Sequence, residues 1–439
     1  MDKNYEKLLD KTLLFSKEYL NLLENREIFP SKDNLSYLKQ IDTKLPIETL
    51  NEIEVLNEIH ELAKKTTVIQ NSGRYFGYVI GSMLPIAHAI SWLSDTYNQN
   101  NALYHMSLFN AKIEEITQKW LNELLRLDKR CVTGFVSGST TATLCAISIA
   151  RNNIYKNNDI NKLRIIISEQ AHLTIFKALK ILGINENIII KVPCDKDGKI
   201  IVSELPKLTC NDIIIIQVGN LNGGANDDIN AICSIAQKVK AWVHIDGAFG
   251  LWSCMLDEYK NDFIGLEKAD SYSLDAHKTL NACYSCGMII CKHKDIFIDT
   301  MNYNLQKTND DKRNNMTYSL EMSKRSRALM VYATIKQLGK NGIINMLEQM
   351  SEITKYFASE LKKHHLTIVN KVNFNQFMFY YDNDTKTKIL LNKINSSGKC
   401  YFSSSTFNNH YVIRVSVCSY KTNKNDIDYC INIIKELLV

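Results

Sequence analysis

The chain has 439 residues, of which 45% are hydrophobic and 23% are charged, and its formal net charge is +6. These proportions are ordinary for a soluble globular protein, and they allow a large buried core in one large unit or in two or three smaller ones. The basic residues form no long block with interleaved aromatic residues, so nucleic acid is not an expected partner.

The N-terminus and the cysteines bear on the compartment. No apolar signal core follows Met1, and no run reaches the roughly 18 apolar residues of a membrane span. The twelve cysteines show no repeated metal spacing, and the pair Cys283 and Cys286 is interpreted as buried thiols rather than as a zinc or redox motif. Many free thiols suit a reducing cytosol. The sequence therefore predicts a soluble cytoplasmic protein with no metal and no membrane partner.

Residues 1–65 predict helices with polar surfaces, punctuated by Pro30 and Pro46. Several leucines in this segment fall near helical spacing, namely Leu8, Leu9, Leu13, Leu20 and Leu23. Such a segment has little core of its own. We therefore expect a dimerisation arm that packs on a second copy of the chain.

Residues 66–330 alternate short β-rich runs with helical segments, including a helix from about Thr141 to Asn152. Runs rich in isoleucine and valine predict strands at 163–168, 188–192, 212–217, 241–246 and 287–291. Near-continuous apolar runs separated by helices indicate a parallel sheet covered on both faces. Ligands of such sheets bind beyond the carboxyl ends of the strands.

Residues 331–439 predict a smaller α+β domain. Two helices, from about Ser326 to Lys340 and from about Ile343 to His364, lead into it. Strands are predicted at 366–369, 376–380 and 411–417, and a last helix runs from about Lys424 to Leu438. The polar stretch 302–317 lacks periodicity and predicts a loop.

Two strand ends in the larger domain carry the most specific signal. The run 241–246 delivers Asp246 at its end, and about thirty residues later Lys278 follows His277. Alone, such an aspartate more often caps a turn, and such a lysine is usually a surface charge. In this order they suit pyridoxal phosphate, because the lysine can form a Schiff base with the aldehyde while the aspartate keeps the pyridine nitrogen protonated.

With these residues the chain resembles the group II pyridoxal-phosphate-dependent amino-acid decarboxylases, over roughly residues 70–435. That family includes aromatic amino-acid, glutamate and histidine decarboxylases. The resemblance implies an α/β fold of type I, the aspartate aminotransferase-like architecture. It comprises a large domain with a mainly parallel seven-stranded sheet and a small C-terminal α+β domain. It also implies a homodimer with the active site at the subunit interface.

The resemblance assigns roles to further residues. Ser139 and Thr140, in a hydroxyl-rich turn entering a helix, match the family's contacts to the cofactor phosphate. The family often has glutamate where this chain has Thr141. His172 matches the histidine that stacks on the cofactor ring, although a single histidine is more often a satisfied core residue. Asn220 stands where many members have threonine, in position to meet the ring oxygen.

Residues beside the aspartate and the lysine are also carried over. Ala248, Asp275 and His277 match cofactor-binding and pocket residues of the family, although Asp275 alone could cap a turn. An aromatic segment earlier in the chain resembles the substrate-pocket segment, with aromatic core packing as the alternative; its residues are Tyr75, Phe76 and Tyr78.

The proton donor is predicted on the polar loop. In decarboxylating members a loop tyrosine protonates the substrate carbon after CO2 leaves. Tyr318, which precedes the basic stretch 323–327, is the candidate, and Tyr303 is the alternative. Arg414 lies on the last predicted strand, near an arginine that binds the substrate carboxylate in related aminotransferases, but it receives no role.

The main hypothesis is a carboxy-lyase of amino-acid metabolism that converts an L-amino acid to its amine through a Lys278 Schiff base. Lys278, Asp246, His172 and Tyr318 are its predicted catalytic residues. Another pyridoxal enzyme on the same fold is the alternative: an aminotransferase, a carbon–sulfur lyase or an aldehyde-forming enzyme. A catalytically silent cofactor-binding scaffold is the third hypothesis.

Overall fold

The computed structural model describes residues 2–23, 26–303 and 312–438. Eleven strands of these residues form two sheets, each packed against helices. Of the predicted loop 302–317, residues 304–311 lie outside the described residues.

The larger sheet has seven strands in the order β1-β7-β6-β5-β4-β2-β3. Neighbouring strands from β6 to β3 run parallel, whereas β7 is antiparallel to both β6 and β1. The strands are β1 (Val132–Val136), β2 (Arg164–Ser168), β3 (Ile189–Val192), β4 (Asp212–Gln217), β5 (Trp242–Asp246), β6 (Ser271–Asp275) and β7 (Gly287–Cys291). The predicted mainly parallel seven-stranded sheet is confirmed.

Isoleucine explains why these segments form a doubly covered sheet. Every residue of β4 is buried, and its side chains alternate between two cores. Ile214 and Ile216 pack into one hydrophobic cluster, whereas Ile213 and Ile215 pack into the cluster on the opposite face. β-Branched side chains suit such a pleated surface, and each fully buried one contributes about 2 kcal/mol relative to exposure.

Helices cover both sheets and form the N-terminal segment. They are α1 (Lys3–Leu22), α2 (Lys32–Ser36), α3 (Glu52–Thr66), α4 (Pro85–Tyr97), α5 (Leu108–Leu124), α6 (Ser139–Asn157), α7 (Leu173–Ile181), α8 (Ile229–Val239), α9 (Lys294–Met301), α10 (Ala328–Lys363), α11 (Asp384–Ser396) and α12 (Lys424–Leu437). None of these helices, in the part of the chain that is described, is both long and apolar enough to cross a membrane.

The smaller sheet is antiparallel, in the order β10-β11-β9-β8. Its strands are β8 (Thr367–Ile368), β9 (Gln376–Tyr380), β10 (Ser403–Phe407) and β11 (His410–Ser416). The helix α10 leads into it and contains a break at Gly339, whose backbone lies at φ 62° and ψ 178°. Glycine adopts this conformation without the steric cost that a side chain would add. The break agrees with the two helices predicted there.

A buried ion pair ties the segment after residue 311 to the large domain. Arg313 donates to the carboxylate of Glu114 in α5 at 2.9 Å, and the two side chains are 5% and 0% exposed. Arg313 also donates to the carbonyl of Thr133 in β1 and to the side chain of Asn315. Because both charges are out of water, each depends on the other.

Glu114→Gln should therefore destabilise the fold, by about 3 kcal/mol, because it leaves the Arg313 charge buried without its counter-ion. Urea unfolding monitored by circular dichroism measures this change. The matched control is Glu115→Gln, since the Glu115 carboxylate contacts the exposed Lys112 at 3.2 Å and its loss should cost within about 0.5 kcal/mol. Equal shifts for both variants would contradict the structural role of the buried pair.

Candidate active site

A cavity of about 570 Å³ opens at the carboxyl ends of the parallel strands. Most residues that the sequence analysis predicts for the cofactor site line this one cavity: Ser139, Thr140, His172, Asp246, Ala248, Asp275, His277 and Lys278. The strand register explains why they meet. Gln217 of β4 pairs with Asp246 of β5, and Asp246 pairs with Ser273 of β6, so the strand ends lie side by side.

Lys278 lies three residues beyond the end of β6, next to an anion. Its Nζ is 3.1 Å from Oδ2 of Asp275, whose side chain is almost completely buried. The other oxygen of Asp275 accepts a hydrogen bond of 2.6 Å from the backbone N–H of Ser139. One carboxylate thus joins the lysine to the first turn of α6.

The N-terminus of α6 offers an anion site. The helix begins at Ser139, and its N-cap residue Gly138 has no side chain, so the only side-chain bond to a backbone N–H at this end among the described residues is the one from the Ser139 N–H to Asp275. The hydroxyls of Ser137 and Thr141 contact each other at 2.8 Å, and Thr140 also faces the cavity. Backbone N–H groups and hydroxyls at a helix start stabilise a phosphate. The turn therefore fits the phosphate group of pyridoxal phosphate.

Asp246 is buried at the end of β5. The backbone N–H of Ala248 and the hydroxyl of Ser273 both approach its Oδ1, at 3.3 and 3.5 Å. Burial raises the pKa of the Asp246 carboxyl, and the nearby His172 and Lys278 oppose that rise. A carboxylate in such a dry position is a strong acceptor for the N–H of a pyridinium.

His172 caps α7 and faces the cavity. Its Nδ1 accepts from the backbone N–H of Thr174 at 3.2 Å and contacts the Thr174 hydroxyl at 2.7 Å. Burial lowers the pKa of His172, so the ring is neutral near pH 7. Since Nδ1 is an acceptor, the proton of the neutral ring lies on Nε2. The flat imidazole can therefore cover a ring and donate one hydrogen bond.

The segment that follows Lys278 contacts the ring of His277 and holds it in place. Its Nδ1 lies 2.7 Å from the carbonyl of Cys286, and its ring packs on Tyr284 with centroids 4.3 Å apart. Burial lowers the pKa of His277. Cys286 is buried, and burial raises its thiol pKa to about 12. The predicted inert thiol at this position is thus in agreement with the structure.

Asn220 does not face the cavity, contrary to the sequence prediction. Its Nδ2 donates to the carbonyl of Asp197 at 2.9 Å, and its Oδ1 accepts from the backbone N–H of Gly223 at 2.9 Å. The side chain therefore forms hydrogen bonds that stabilise this turn. Both ends of the Asn220 amide bond to the chain, and the residue is not among those that line the cavity.

Gln217 is a cavity residue that the sequence analysis missed. It is buried at the end of β4 beside Asp246, and its Oε1 has no hydrogen-bond partner among the described residues. A buried amide without a partner costs free energy unless a ligand satisfies it. The sequence does contain a signal for this residue, because Gln217 is a polar residue at the carboxyl end of a strand of isoleucines, where ligands of parallel sheets bind.

The structure separates the three aromatic residues that were predicted to line the substrate pocket. Tyr78 lines the cavity, but Phe76 is fully buried in the small-domain core against Phe357 and Phe402. Tyr75 is also buried, and its ring stacks on Tyr401 at 4.9 Å. The alternative of core packing applies to Phe76 and Tyr75.

Tyr318 is not at the cavity. It is 6% exposed in a 3-10 turn, where its ring packs against Phe297 and lies 4.0 Å from the Arg313 guanidinium. The structure therefore does not bring the predicted proton donor to the cavity of its own chain, since its segment is anchored rather than exposed. Tyr303, the alternative, is 93% exposed directly after α9.

Arg414 enters the cavity from β11 of the small domain. It is 5% exposed, and its Nε lacks a hydrogen-bond partner among the described residues. Burial lowers the pKa of Arg414 to about 10, so the guanidinium remains charged near pH 7. Arg414 therefore adds a buried positive charge to the cavity that the Lys278 amine also lines.

Comparisons with known proteins agree with this geometry. The chain is 29% identical to the aromatic-L-amino-acid decarboxylase of Bacillus atrophaeus over 242 residues, 52% of this chain and 50% of that protein. It is 25% identical to the tyrosine decarboxylase of Papaver somniferum over 415 residues, 83% of this chain and 81% of that protein. Plant phenylacetaldehyde synthases also match.

The fold has a close structural counterpart. The crystal structure of Oryza sativa TDC with PLP and tryptamine superposes with a TM-score of 0.92 at 17% identity, covering 100% of this chain and 98% of that one. This likeness confirms the predicted type I fold.

The model of the pyridoxal-dependent decarboxylase conserved domain matches residues 35–382. The cofactor is pyridoxal phosphate, which the hydroxyl turn, the buried carboxylate and the lysine fit, and the reaction is the decarboxylation of an amino acid. The chain belongs to the pyridoxal-dependent decarboxylase family.

Proposed function

We propose that the cavity is the active site and that Lys278 carries the cofactor. The observation behind this proposal is that the amine of Lys278, the carboxylate of Asp246, the ring of His172 and the hydroxyl turn at Ser139 line a single cavity. A lysine and a buried carboxylate at neighbouring strand ends suit the aldehyde and the ring nitrogen of one molecule.

Each of these groups has a distinct task. When bound, pyridoxal phosphate accepts the electron pair that remains on the substrate after the carboxylate departs. Ser139 and Thr140 hold the phosphate, and Asp246 holds the proton at the pyridine nitrogen. His172 covers the ring and keeps its own proton on Nε2, available to a substrate oxygen. Gln217 replaces Asn220 as the amide that meets the ring hydroxyl.

The substrate is proposed to be an aromatic L-amino acid. Aromatic side chains line part of the cavity, namely Tyr78, Phe249 and Tyr284, and the curated decarboxylases reported above act on aromatic substrates by name. Arg414 supplies the positive charge that draws the substrate carboxylate inward. The two kinds of group would hold opposite ends of the same small molecule.

A homodimer is proposed from the surface of the N-terminal segment. None of the twenty residues of α1 is buried. The exposed residues of this helix include the large apolar side chains of Leu9, Leu13 and Leu14. The helix α3 also has no buried residue. An amphipathic helix whose apolar face is exposed usually packs that face against another surface. We propose that a second copy of the chain packs against this face.

The protein is proposed to work in the cytoplasm. All twelve cysteines are free thiols, including the partly exposed Cys194 and Cys210. Unpaired thiols persist in a reducing compartment.

Purified protein supplied with pyridoxal phosphate should release CO2 from aromatic L-amino acids faster than from the other amino acids. Lys278→Ala should abolish this release and the visible absorption of the bound cofactor, because no amine remains to bond the aldehyde. A radiometric CO2 assay over the twenty amino acids measures the first effect, and absorption spectra measure the second.

The matched control is Lys294→Ala, which removes an exposed lysine at the start of α9 and should leave both readouts unchanged. Near-normal turnover by the Lys278 variant would rule out the assignment of the lysine. Preferred release from an acidic amino acid would overturn the aromatic substrate while leaving the site in place.

Tyr303 and Tyr318 make a matched pair of substitutions for testing the proton donor. Tyr303→Phe should slow amine formation at least tenfold, or divert product to an aldehyde, because the exposed phenol can approach a substrate carbon. Tyr318→Phe should leave the ratio of amine to CO2 unchanged, because its ring is buried away from the cavity. Amine, aldehyde and CO2 are measured in one reaction. An effect confined to Tyr318 would contradict the placement.

Light scattering should give about twice the chain mass of 50.3 kDa. The double variant Leu9→Glu/Leu13→Glu should shift the protein toward the monomer, because it places charges on the apolar side of α1. Lys7→Glu on the same helix, at an exposed polar position, is the control. A fully active monomer at assay concentrations would contradict the shared active site.

A further inference from the structure

We propose that His244 is a positioning residue for Asp246, through a buried relay of hydrogen bonds. The relay runs from Trp242 through Ser271, His244 and Ser273 to the carboxylate. The inference rests on the proposed function, in which Asp246 holds the proton at the pyridine nitrogen. Under this proposal, the residues of the relay orient the Asp246 carboxylate without contacting the cofactor.

The relay is continuous and dry. The Trp242 indole N–H donates to Oγ of Ser271 at 3.0 Å, and Oγ of Ser271 lies 2.9 Å from Nδ1 of His244. Nε2 of His244 lies 3.3 Å from Oγ of Ser273, which lies 3.5 Å from Oδ1 of Asp246. Ser271, His244 and Ser273 are each 0% exposed.

The direction of the relay follows from its last member, because a carboxylate can only accept and so takes the single hydroxyl proton of Ser273, which leaves Oγ of Ser273 to accept from Nε2 of His244. An indole N–H can only donate, so Oγ of Ser271 is an acceptor there, and its own proton is free to point at Nδ1 of His244. His244 is neutral, because complete burial lowers its pKa to about 3. A neutral imidazole that accepts at Nδ1 carries its proton on Nε2, and it therefore donates to Ser273.

A second donor fixes the last step. The hydroxyl of Thr143 in α6 donates to Oγ of Ser273 at 3.1 Å, so this oxygen accepts from both Thr143 and His244. The remaining Ser273 proton points to Asp246. Aligned hydrogen bonds of this kind polarise one another. The relay thus ends on an acceptor and favours the ionised carboxylate.

The relay also selects which oxygen of Asp246 meets the cofactor. Ser273 and the backbone N–H of Ala248 both approach Oδ1. Oδ2 is therefore the oxygen left for the pyridine N–H. A carboxylate held at one oxygen keeps its plane fixed, and a fixed plane gives the ring nitrogen one bonding direction. The role of His244 is exerted entirely through this orientation.

The competing interpretation is a core histidine that only satisfies its neighbours. Both interpretations expect some loss of stability on substitution, so thermal stability of the apoprotein cannot separate them. They differ in whether the effect on cofactor affinity passes through Asp246. A double-mutant cycle measures that dependence, because residues that act through one another are not additive.

The experiment measures the dissociation constant of pyridoxal phosphate for five proteins, and the apoprotein melting temperature serves only to show that each one is folded. They are the wild type, Ser273→Ala, Asp246→Ala, the double variant and Ser351→Ala. Ser351 is a matched buried serine, whose hydroxyl contacts that of Tyr259 at 3.2 Å outside the cavity. Ser273→Ala should weaken binding about tenfold in the wild-type background, the size expected for a bond to a charged group. It should change binding less than twofold once Asp246 is alanine.

His244→Gln and His244→Phe extend the test. Gln retains an N–H donor and should restore most of the affinity, whereas Phe should reproduce the loss in Ser273→Ala. Ser351→Ala should leave affinity at the wild-type value. Equal losses from Ser273→Ala in both backgrounds, or wild-type affinity in Ser273→Ala, would overturn the relay. Failure of the wild type to bind pyridoxal phosphate would instead overturn the proposed function on which the relay rests.

Discussion

A carboxylate kept out of water at the end of β5 is the constraint on which the rest of the site depends. Burying Asp246 costs free energy unless donors and positive charge surround it. The backbone of Ala248 and the hydroxyl of Ser273 supply donors, and Lys278 supplies charge nearby. The remaining lone pairs of the carboxylate face the cavity. In the proposed function, the N–H of a protonated pyridine ring would bond to them.

The parallel sheet makes this arrangement possible at low cost. Strand pairing sets Gln217, Asp246 and Ser273 side by side, and the turn after β6 brings Lys278 to the same edge. The isoleucine cores on both faces hold the strands rigidly, so the polar residues at their ends do not need to stabilise the fold. Placing reactive groups on rigid elements preserves their geometry during a reaction.

The sequence was sufficient for the features that long patterns determine. Strands such as β4 and β9 begin and end where the apolar runs predict, because a buried strand needs an uninterrupted apolar segment. The strand β10 (Ser403–Phe407) was not predicted, since its serines and threonine resemble a loop and only pairing with β11 stabilises it. Hydrophobic pattern carries no information about such a partner.

The direction in which a side chain points was harder to predict from the sequence than the boundaries of the strands. Asn220 occupies the expected position along the chain, but the turn uses both ends of its amide, and Gln217 faces the cavity instead. Tyr318 was expected on an exposed loop, and the buried pair Arg313–Glu114 holds its segment against the large domain. In both cases a long-range contact decided the outcome, and one sequence does not reveal such contacts. The division at residues 65 and 330 stays a prediction.

The central claim is that the cofactor is bonded to Lys278 within the cavity that Asp246 and His172 line. Reduction of the cofactor-loaded protein with borohydride fixes such a bond, and peptide mass spectrometry then locates it. A single pyridoxyl group is expected on Lys278, with no label after the same treatment of Lys278→Ala. Label on any other lysine in the loaded wild-type protein, or none at all, would contradict it.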